Sequence, residues 1–470
     1  MVTENKTLLR RIPSVEVLMQ ESVVQKLVEE RPRRVVLDSV RIVLDELRTE
    51  LLENPPEDVS DEAIRRTILT RVAGRVAAAS TRHYRRVINA TGIILHTGLG
   101  RAVLAERALR HITEELSGYS LLQTDPETGA RSKRDGRIED LLRQLTGGEA
   151  ATVVNNNAAA TMLVLNTVAK GREVLVSRGQ LVEIGGSFRL PEVMAASGAV
   201  MIEVGTTNKT HPRDYERAIN GNTAAILRVH PSNYKLIGFT SEVSLAEMVA
   251  IAHARDLVLI DDVGAGALID FSRFGFAHEP TIPESIAAGA DIVTSSADKL
   301  IGAAQGGLIV GRTSLIDRVR KNPIARMVRV DKMTLAALEA TLSLFLDDEL
   351  ALREVPTLRM LRRGLPEIEE QARRIAEAIP EDVPASVAVI DGFSQMGSGS
   401  LPEQNLATRL VAVAPKSMTP DEFARRLRDG RPAVFARIQK DLVLLDPRTL
   451  LEGDEEALIH VLIDALGVKA

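Results

Sequence analysis

Residues 291–311 read Asp-Ile-Val-Thr-Ser-Ser-Ala-Asp-Lys-Leu-Ile-Gly-Ala-Ala-Gln-Gly-Gly-Leu-Ile-Val-Gly, which sets one lysine, Lys299, between a β-branched run and a glycine-rich apolar return. An ammonium in apolar surroundings is costly unless it is paired or loses its charge. A desolvated lysine that holds its proton weakly condenses with aldehydes. The aldehyde cofactor of amino acid chemistry is pyridoxal phosphate (PLP), whose imine with the protein is made by one lysine. The plainer use of Lys299 is to snorkel from a strand end and pair with Asp298.

A PLP site also needs a partner for the ring nitrogen and a cradle for the phosphate. Val258-Leu-Ile-Asp-Asp-Val-Gly-Ala-Gly266 is an apolar run ending in carboxylates and then glycines, which puts Asp262 at the carboxyl end of a predicted strand, where α/β sheets bind ligands. A carboxylate there keeps the ring nitrogen protonated. The competing use is a turn in which Asp261 or Asp262 caps backbone amides. Ala151-Thr-Val-Val-Asn-Asn-Asn-Ala-Ala-Ala-Thr161 reads as a short strand, a polar turn and the start of a helix continuing through Met162 to Ala169. Helix amino termini bind phosphate through free amides and the helix dipole, and Asn155 to Asn157 followed by alanines leave room for it. An Asn cap with nothing bound is the alternative.

The elements that must position these groups follow from pattern. Helical periodicity alone runs from about Lys6 to Ala79, through Val15–Met19, Val23–Val28, Val35–Leu52 and Asp58–Val76, with Asn54-Pro-Pro as a break. The last stretch carries Arg65, Arg66, Arg71, Arg75, Arg82, Arg85 and Arg86, either a solvated helix face or a phosphate-contacting one. From about Val87 to Arg329 short β-branched runs alternate with helices: Thr152–Val154, Glu173–Val176, Met201–Val204, Ala224–Val229, Leu257–Ile260, Asp291–Thr294 and Gly307–Val310. That alternation predicts a mostly parallel sheet with helices on both faces. After Asp331 a long helical region leads to strands near Leu410–Val413, Ala433–Ile438 and Leu442–Leu445, with a helix opened by Thr419-Pro-Asp-Glu422 and a last helix from Glu455. The expected domains are 1–80, helical; 81–335, the large α/β domain; and 336–470, a small α+β domain with its connecting helix.

Composition bounds the function. A chain of 470 residues, 45% hydrophobic, has the size of about three domains and a sizeable core. Zero cysteines exclude disulfides, thiolate metal sites and a Cys nucleophile, and no metal site is expected. Without an export-type segment or a run of 18 apolar residues, the expected location is the cytoplasm, with no membrane partner. The formal charge of −5 does not advertise a nucleic-acid binder, and no DNA partner is expected. Residues 1–86 hold 16 Lys and Arg against 14 Asp and Glu, too small an excess to establish RNA binding.

A large α/β domain with a lysine-centred site and a smaller domain after it resembles the fold type I PLP enzymes. The segments Arg86–Arg101, Val153–Ala160, Ser177–Arg189, Val204–His211, Ser296–Leu300 and Gly397–Pro402 are together similar to the bacterial selenocysteine synthase family, the L-seryl-tRNA(Sec) selenium transferases. The resemblance runs from Leu8 to the end. It implies that Lys299 is the imine lysine, Asp262 the ring-nitrogen partner, and Asn156, Ala158 and Ser296 phosphate neighbours. His230 is expected against the cofactor, or as a packed histidine at a strand end. Arg101, Arg326 and Arg329 match positions that hold the selenium donor's anionic group, and Arg326 and Arg329, three apart, would face one way on a helix.

The implied reaction converts L-seryl-tRNA(Sec) to L-selenocysteinyl-tRNA(Sec) by β-elimination to an aminoacrylyl intermediate and addition of selenium from selenophosphate. Residues 1–80 would bind the tRNA, and the family assembles as a dimer-based homo-oligomer, a ring of five dimers. Departures from the family pattern fall at Gly98, Asp135, Arg137, Ala297 and the proline-free Ala303-Ala-Gln-Gly306. The rival readings are a PLP-dependent lyase or β-eliminase acting on a small phosphorylated amino acid and a non-catalytic tRNA-binding paralogue.

Overall fold

The computed structural model describes residues 8–53, 58–80, 83–186, 188–397, 400–401 and 404–467. The Asn54-Pro-Pro break, Lys6, Arg82, Ser187, and Ser398, Gly399 and Pro402 of the carboxyl-terminal motif lie outside them. The chain divides into two compact units, Met1–Arg86 and Val87–Ala470.

The first unit is built from helices α1 (Val15–Met19), α2 (Ser22–Glu30), α3 (Arg33–Glu53) and α4 (Asp61–Ser80). Val36, Val40, Val43, Leu47 and Leu51 on α3 and Ile64, Ile68, Val72 and Val76 on α4 recur at three- and four-residue spacing, so each helix turns one apolar stripe into a common core. The arginines of α4 lie off that stripe. Arg65 donates to Glu21 (2.5 Å), Arg71 to Glu50 (2.6 Å) and Arg75 to Glu46 (2.7 Å). Much of the basic face is therefore paired across helices.

In the second unit, strands β1 (Ala150–Val154), β2 (Glu173–Ser177), β3 (Val200–Val204), β4 (Thr223–Val229), β5 (Val258–Asp262), β6 (Ile292–Ser296) and β7 (Gly307–Gly311) form one sheet in the order β1-β7-β6-β5-β4-β2-β3. The pairs from β6 to β3 are parallel, and β7 runs antiparallel to β1 and β6. Alternate residues of a strand feed two cores: Ala151 and Val153 one, Ala150 and Val154 the other. Burial on both faces explains why these strands read as continuous apolar runs rather than alternating ones. Helices α5 (Gly136–Thr146), α6 (Asn157–Ala169), α7 (Pro323–Met327) and α8 (Lys332–Leu344) lie around the sheet, and the large core continues through Leu361.

A four-stranded antiparallel sheet follows: β8 (Ala385–Gln395), β9 (Asn405–Pro415), β10 (Arg437–Gln439) and β11 (Leu442–Leu445), in the order β8-β9-β11-β10. It shares a separate core with α9 (Leu365–Glu377), α10 (Pro420–Asp429) and α11 (Asp454–Ala465). The segment Val87–Asn89 joins this half by pairing in parallel with Ala433–Phe435. Strand β8 has no counterpart among the sequence-predicted strands. Its residues are mostly half-exposed and Gly392 interrupts it, so neither an apolar run nor a clean alternation marks it.

Candidate active site

Parallel pairing brings the carboxyl ends of β4, β5 and β6 to one edge of the sheet, and antiparallel β7 brings the end of β1 to the same edge. The chemistry-bearing residues collect there. Lys299, Asp262, Asn156, Ala158, Ser296, His230 and Arg101 line one cavity of about 510 Å³.

Lys299 sits in the turn between β6 and β7. The turn is fastened by main-chain bonds from Ala297 to Gly306 (2.9 Å), Leu300 to Ala265 (3.1 Å) and Gly302 to Lys299 (3.0 Å). Ala297, Leu300, Ile301 and Ala303 are at most 1% exposed, so the lysine enters the cavity from an apolar wall and is itself 6% exposed. Burial lowers its affinity for a proton; Asp298 opposes that and Arg101 adds to it. Asp298 is taken by Arg101 at 2.7 Å, not by a hydrogen bond from Lys299. Arg101 has φ 62°, a left-handed conformation that a non-glycine residue holds at a cost of roughly 1–3 kcal/mol.

Strand alternation separates the two aspartates at the end of β5. Asp261 accepts from Arg228 at 2.8 Å, on the neighbouring strand, whereas Asp262 faces the cavity and accepts from Asn157 Nδ2 (2.8 Å) and Thr161 Oγ1 (3.2 Å). Burial pushes the Asp262 carboxyl above the usual range, against those two hydrogen bonds. Asn157 and Thr161 stand four apart on α6 and meet the same carboxylate. The sequence marks Asn157 only as part of the phosphate turn, not as a partner of Asp262, and it does not mark Thr161, although their spacing from the Asn156 cap is visible.

Asn156 caps α6, its side chain accepting from the Ala159 amide at 2.9 Å. The amides of Asn157 and Ala158, at the start of the helix, have no hydrogen-bond acceptor among the described residues. They face the cavity beside Ser296. The glycine return is what lets β7 reach this turn: a Cβ on Gly307 would lie 2.1 Å from the Asn156 carbonyl oxygen.

These residues fit PLP on observations of this chain. A buried carboxylate that burial disfavours calls for a protonated ring nitrogen, free helix amides call for an anion, and a buried amine without a hydrogen-bond partner among the described residues suits an aldehyde.

Arg326 and Arg329 are not in this cavity. They line a second one, of about 290 Å³, with Arg134, Asp135 and Arg320. Nor do they share a helix face. Asn322 caps α7, which ends at Met327; the Val328 carbonyl then accepts from the Asn155 amide (2.9 Å) and Arg329 bridges to Val154. The two cavities thus share the segment that runs from β1 into α6. Arg134, missed in the sequence, has a buried Nε with no hydrogen-bond partner among the described residues, and its charge is disfavoured by burial and then by Arg329. Asp135, one of the departures, accepts from Thr152 Oγ1 at 2.5 Å in the same pocket. A larger cavity, about 670 Å³, is lined by Arg359, Arg362 and Arg363 with Glu349 and Glu367. It holds none of the candidate residues, and its Arg362 and Arg363 are paired with Glu349 and Glu367.

A family profile described as L-seryl-tRNA selenium transferase matches residues 87–451, and one described as selenocysteine synthase N terminal matches residues 9–48. The L-seryl-tRNA(Sec) selenium transferase of Desulfomicrobium baculatum is 48% identical over 450 residues, covering 95% of this chain and 97% of its own. That of Geobacter sulfurreducens is 47% identical over 460 residues, covering 97% and 99%. Among solved structures, D-glucosaminate-6-phosphate ammonia-lyase aligns with TM-score 0.56 and 21% identity over 82% of this chain and 98% of its own, a likeness of fold. With near-full-length identity approaching one half and a profile spanning most of the second unit, the chain belongs to the L-seryl-tRNA(Sec) selenium transferase family.

Proposed function

We propose that the chain converts L-seryl-tRNA(Sec) to L-selenocysteinyl-tRNA(Sec), with PLP held on Lys299 and selenophosphate as the selenium donor. The observation that carries this is the convergence of Lys299, Asp262 and the open end of α6 on one cavity, in a chain of this family. PLP, when bound, supplies an electron sink for the charge left on the seryl α carbon. Asp262 holds the proton on the ring nitrogen, and Asn157 and Thr161 keep that carboxylate in place. Asn156, Ala158 and Ser296 receive the phosphate, and His230 forms the wall at the end of β4.

The Lys299 amine takes the α proton, a role suited to an amine whose hold on its proton is weakened by burial. Arg101, oriented by Asp298, presents a planar guanidinium fork to a tetrahedral oxyanion in this cavity, and Arg326, Arg329 and Arg134 present theirs in the second cavity. Because the seryl carboxyl is esterified to tRNA, no arginine is required to clamp it. The helical unit takes the tRNA. The protein works as a dimer-based homo-oligomer in the cytoplasm; a monomer in sedimentation would overturn the assembly. Among the described residues no helix is long and apolar enough to cross a membrane.

The test is incubation of the full chain with PLP, seryl-tRNA(Sec) and selenophosphate, followed by analysis of the aminoacyl ester. Selenocysteine on the tRNA is expected. Unchanged serine, with turnover of a free phosphorylated amino acid that survives deletion of residues 1–80, would favour the lyase instead.

A further inference from the structure

We propose that Glu279 is a positioning residue for the cofactor cavity, acting through His230; this rests on the reading that the cavity holds PLP. His230 follows β4 directly, its amide donates to the Asp262 carbonyl (3.0 Å), and its own carbonyl accepts from Ser232 (2.8 Å). Its main chain is therefore tied to the strand that carries the ring-nitrogen partner. Its ring lines the cavity with Lys299 and Asp262. Glu279, outside that lining, is 3% exposed, and its Oε1 lies 3.3 Å from His230 Nε2.

Glu279 belongs to the segment before the helix Ile282–Ala287. Thr281 caps that helix by accepting from the Glu284 amide (3.2 Å), and the Ile282 amide donates to Ala267 (3.0 Å). The segment that carries Glu279 is thus fastened at Ile282 to the loop that follows Asp262. Its Oε1 has no well-formed hydrogen bond among the described residues, and a buried carboxylate oxygen needs a donor. The imidazole Nε2, at 3.3 Å, is at ion-pair distance from that oxygen. Active-site hydrogen bonds of this kind are commonly long before the ligand is in place.

A proton on Nε2 directed at Glu279 fixes both the ring plane and the tautomer of His230, leaving Nδ1 as the other ring nitrogen. Glu279 also belongs to the charge set felt by the Lys299 amine, after Asp298, Arg101 and Asp262. Its negative charge favours the cationic form of that nitrogen.

The experiment uses the full chain and two readouts other than turnover: the PLP dissociation constant and the pH midpoint of the bound cofactor's visible band. Glu279→Gln is expected to weaken PLP binding about tenfold, the scale of one charge-assisted hydrogen bond, and to move the midpoint to lower pH because a negative charge is lost. In a His230→Gln background the same change should alter affinity less than twofold. Equal loss in both backgrounds, or none in either, overturns the proposal. Should Glu279→Gln fail to fold, the ring nitrogen spectrum of the unaltered chain decides, with His230 assigned by its loss in His230→Gln. A proton on Nε2 is expected and one on Nδ1 alone overturns it. An unaltered chain with no cofactor band sinks the functional reading and this proposal together, whereas a normal band with additive variants sinks only this proposal.

Discussion

Two of the places where the second unit buries ionisable groups treat them in opposite ways. In the carboxyl-terminal half, Asp446 accepts from Ser394 Oγ (2.7 Å), Thr408 Oγ1 (2.9 Å) and the Arg448 amide (3.1 Å). Arg448 donates to Ser394 Oγ (3.0 Å) and to the carbonyls of Met360 (3.0 Å), Arg363 (3.1 Å) and Ala407 (2.6 Å). Gly92, with φ 71°, lets the chain pass close by, since a Cβ there would lie 2.0 Å from Asp446 Oδ2. At the sheet edge, Lys299 donates no hydrogen bond among the described residues, and burial works against its charge and, beyond what two side-chain hydrogen bonds offset, against that of Asp262. Burial works against the Arg448 charge as well, but four hydrogen bonds from its guanidinium knot it into the fold, whereas the Lys299 amine costs stability and is kept for chemistry.

The sharpest break of this comparison is at Lys299. Lys299→Met is expected to lower turnover about ten-thousandfold or more, through loss of both the nucleophile and the base. Yet it should raise the unfolding free energy of the cofactor-free chain at pH 7. Burial makes the folded chain hold this proton less tightly than the unfolded chain does. The charged form therefore costs stability at neutral pH, and the cost fades as the pH rises toward the ordinary lysine range near ~10. Urea midpoints at two pH values check it: a variant less stable at pH 7 would contradict the contrast. Asp446→Ala should do the reverse. It leaves the buried Ser394 and Thr408 hydroxyls and the Arg448 amide without their acceptor and removes the carboxylate charge beside Arg437 and Arg448, and should cost about 3–5 kcal/mol by urea denaturation with turnover per folded molecule retained.

Asp262→Asn comes next. Its cofactor affinity should fall roughly a hundredfold, about twice 1.4 kcal/mol, because the ring-nitrogen partner loses its charge. Here the folded chain holds the proton more tightly, so the ionised form costs stability above the ordinary Asp range. The Asn variant should therefore be the more stable cofactor-free chain at pH 7, with the difference vanishing toward pH ~4. Titration with PLP and thermal melts across that interval read both effects.

The same contrast explains what could be read from the chain alone. All seven strands of the main sheet were legible because burial on both faces leaves unbroken β-branched runs. Lys299 and Asp262 were legible because a charge at the end of an apolar run has few structural uses. The hold of Asn157 and Thr161 on Asp262 was not, since polar residues near a helix start have many uses and Asn157 reads there as part of the phosphate turn. Arg326 and Arg329 were placed on one helix face, but the caps that stop α7 at Met327 draw on Asn155 and Val154, some 170 residues upstream, which no local pattern reports. The partners of the α4 arginines were hidden for the same reason: Glu46, Glu50 and Glu21 lie on other elements.

Those α4 arginines set the lower end of the comparison. Arg71 pairs with Glu50 at 2.6 Å, but both side chains are more than a third exposed, at 39% and 36%. Water and salt screen such a pair, so Arg71→Gln should cost less than about 1 kcal/mol, with a smaller difference at high salt. The glutamate holds its proton less readily than usual because of the hydrogen bond from Arg71, so whatever the pair contributes is present above the ordinary Glu range and is lost as the pH falls through the lowered value. The affinity of the chain for seryl-tRNA(Sec) sharpens the point. An arginine already committed to Glu50 should change it less than twofold. A tenfold loss on Arg71→Gln, with stability intact, would mean that the guanidinium leaves its carboxylate for a phosphate, and that even a paired cation of this protein is held in reserve for its substrate.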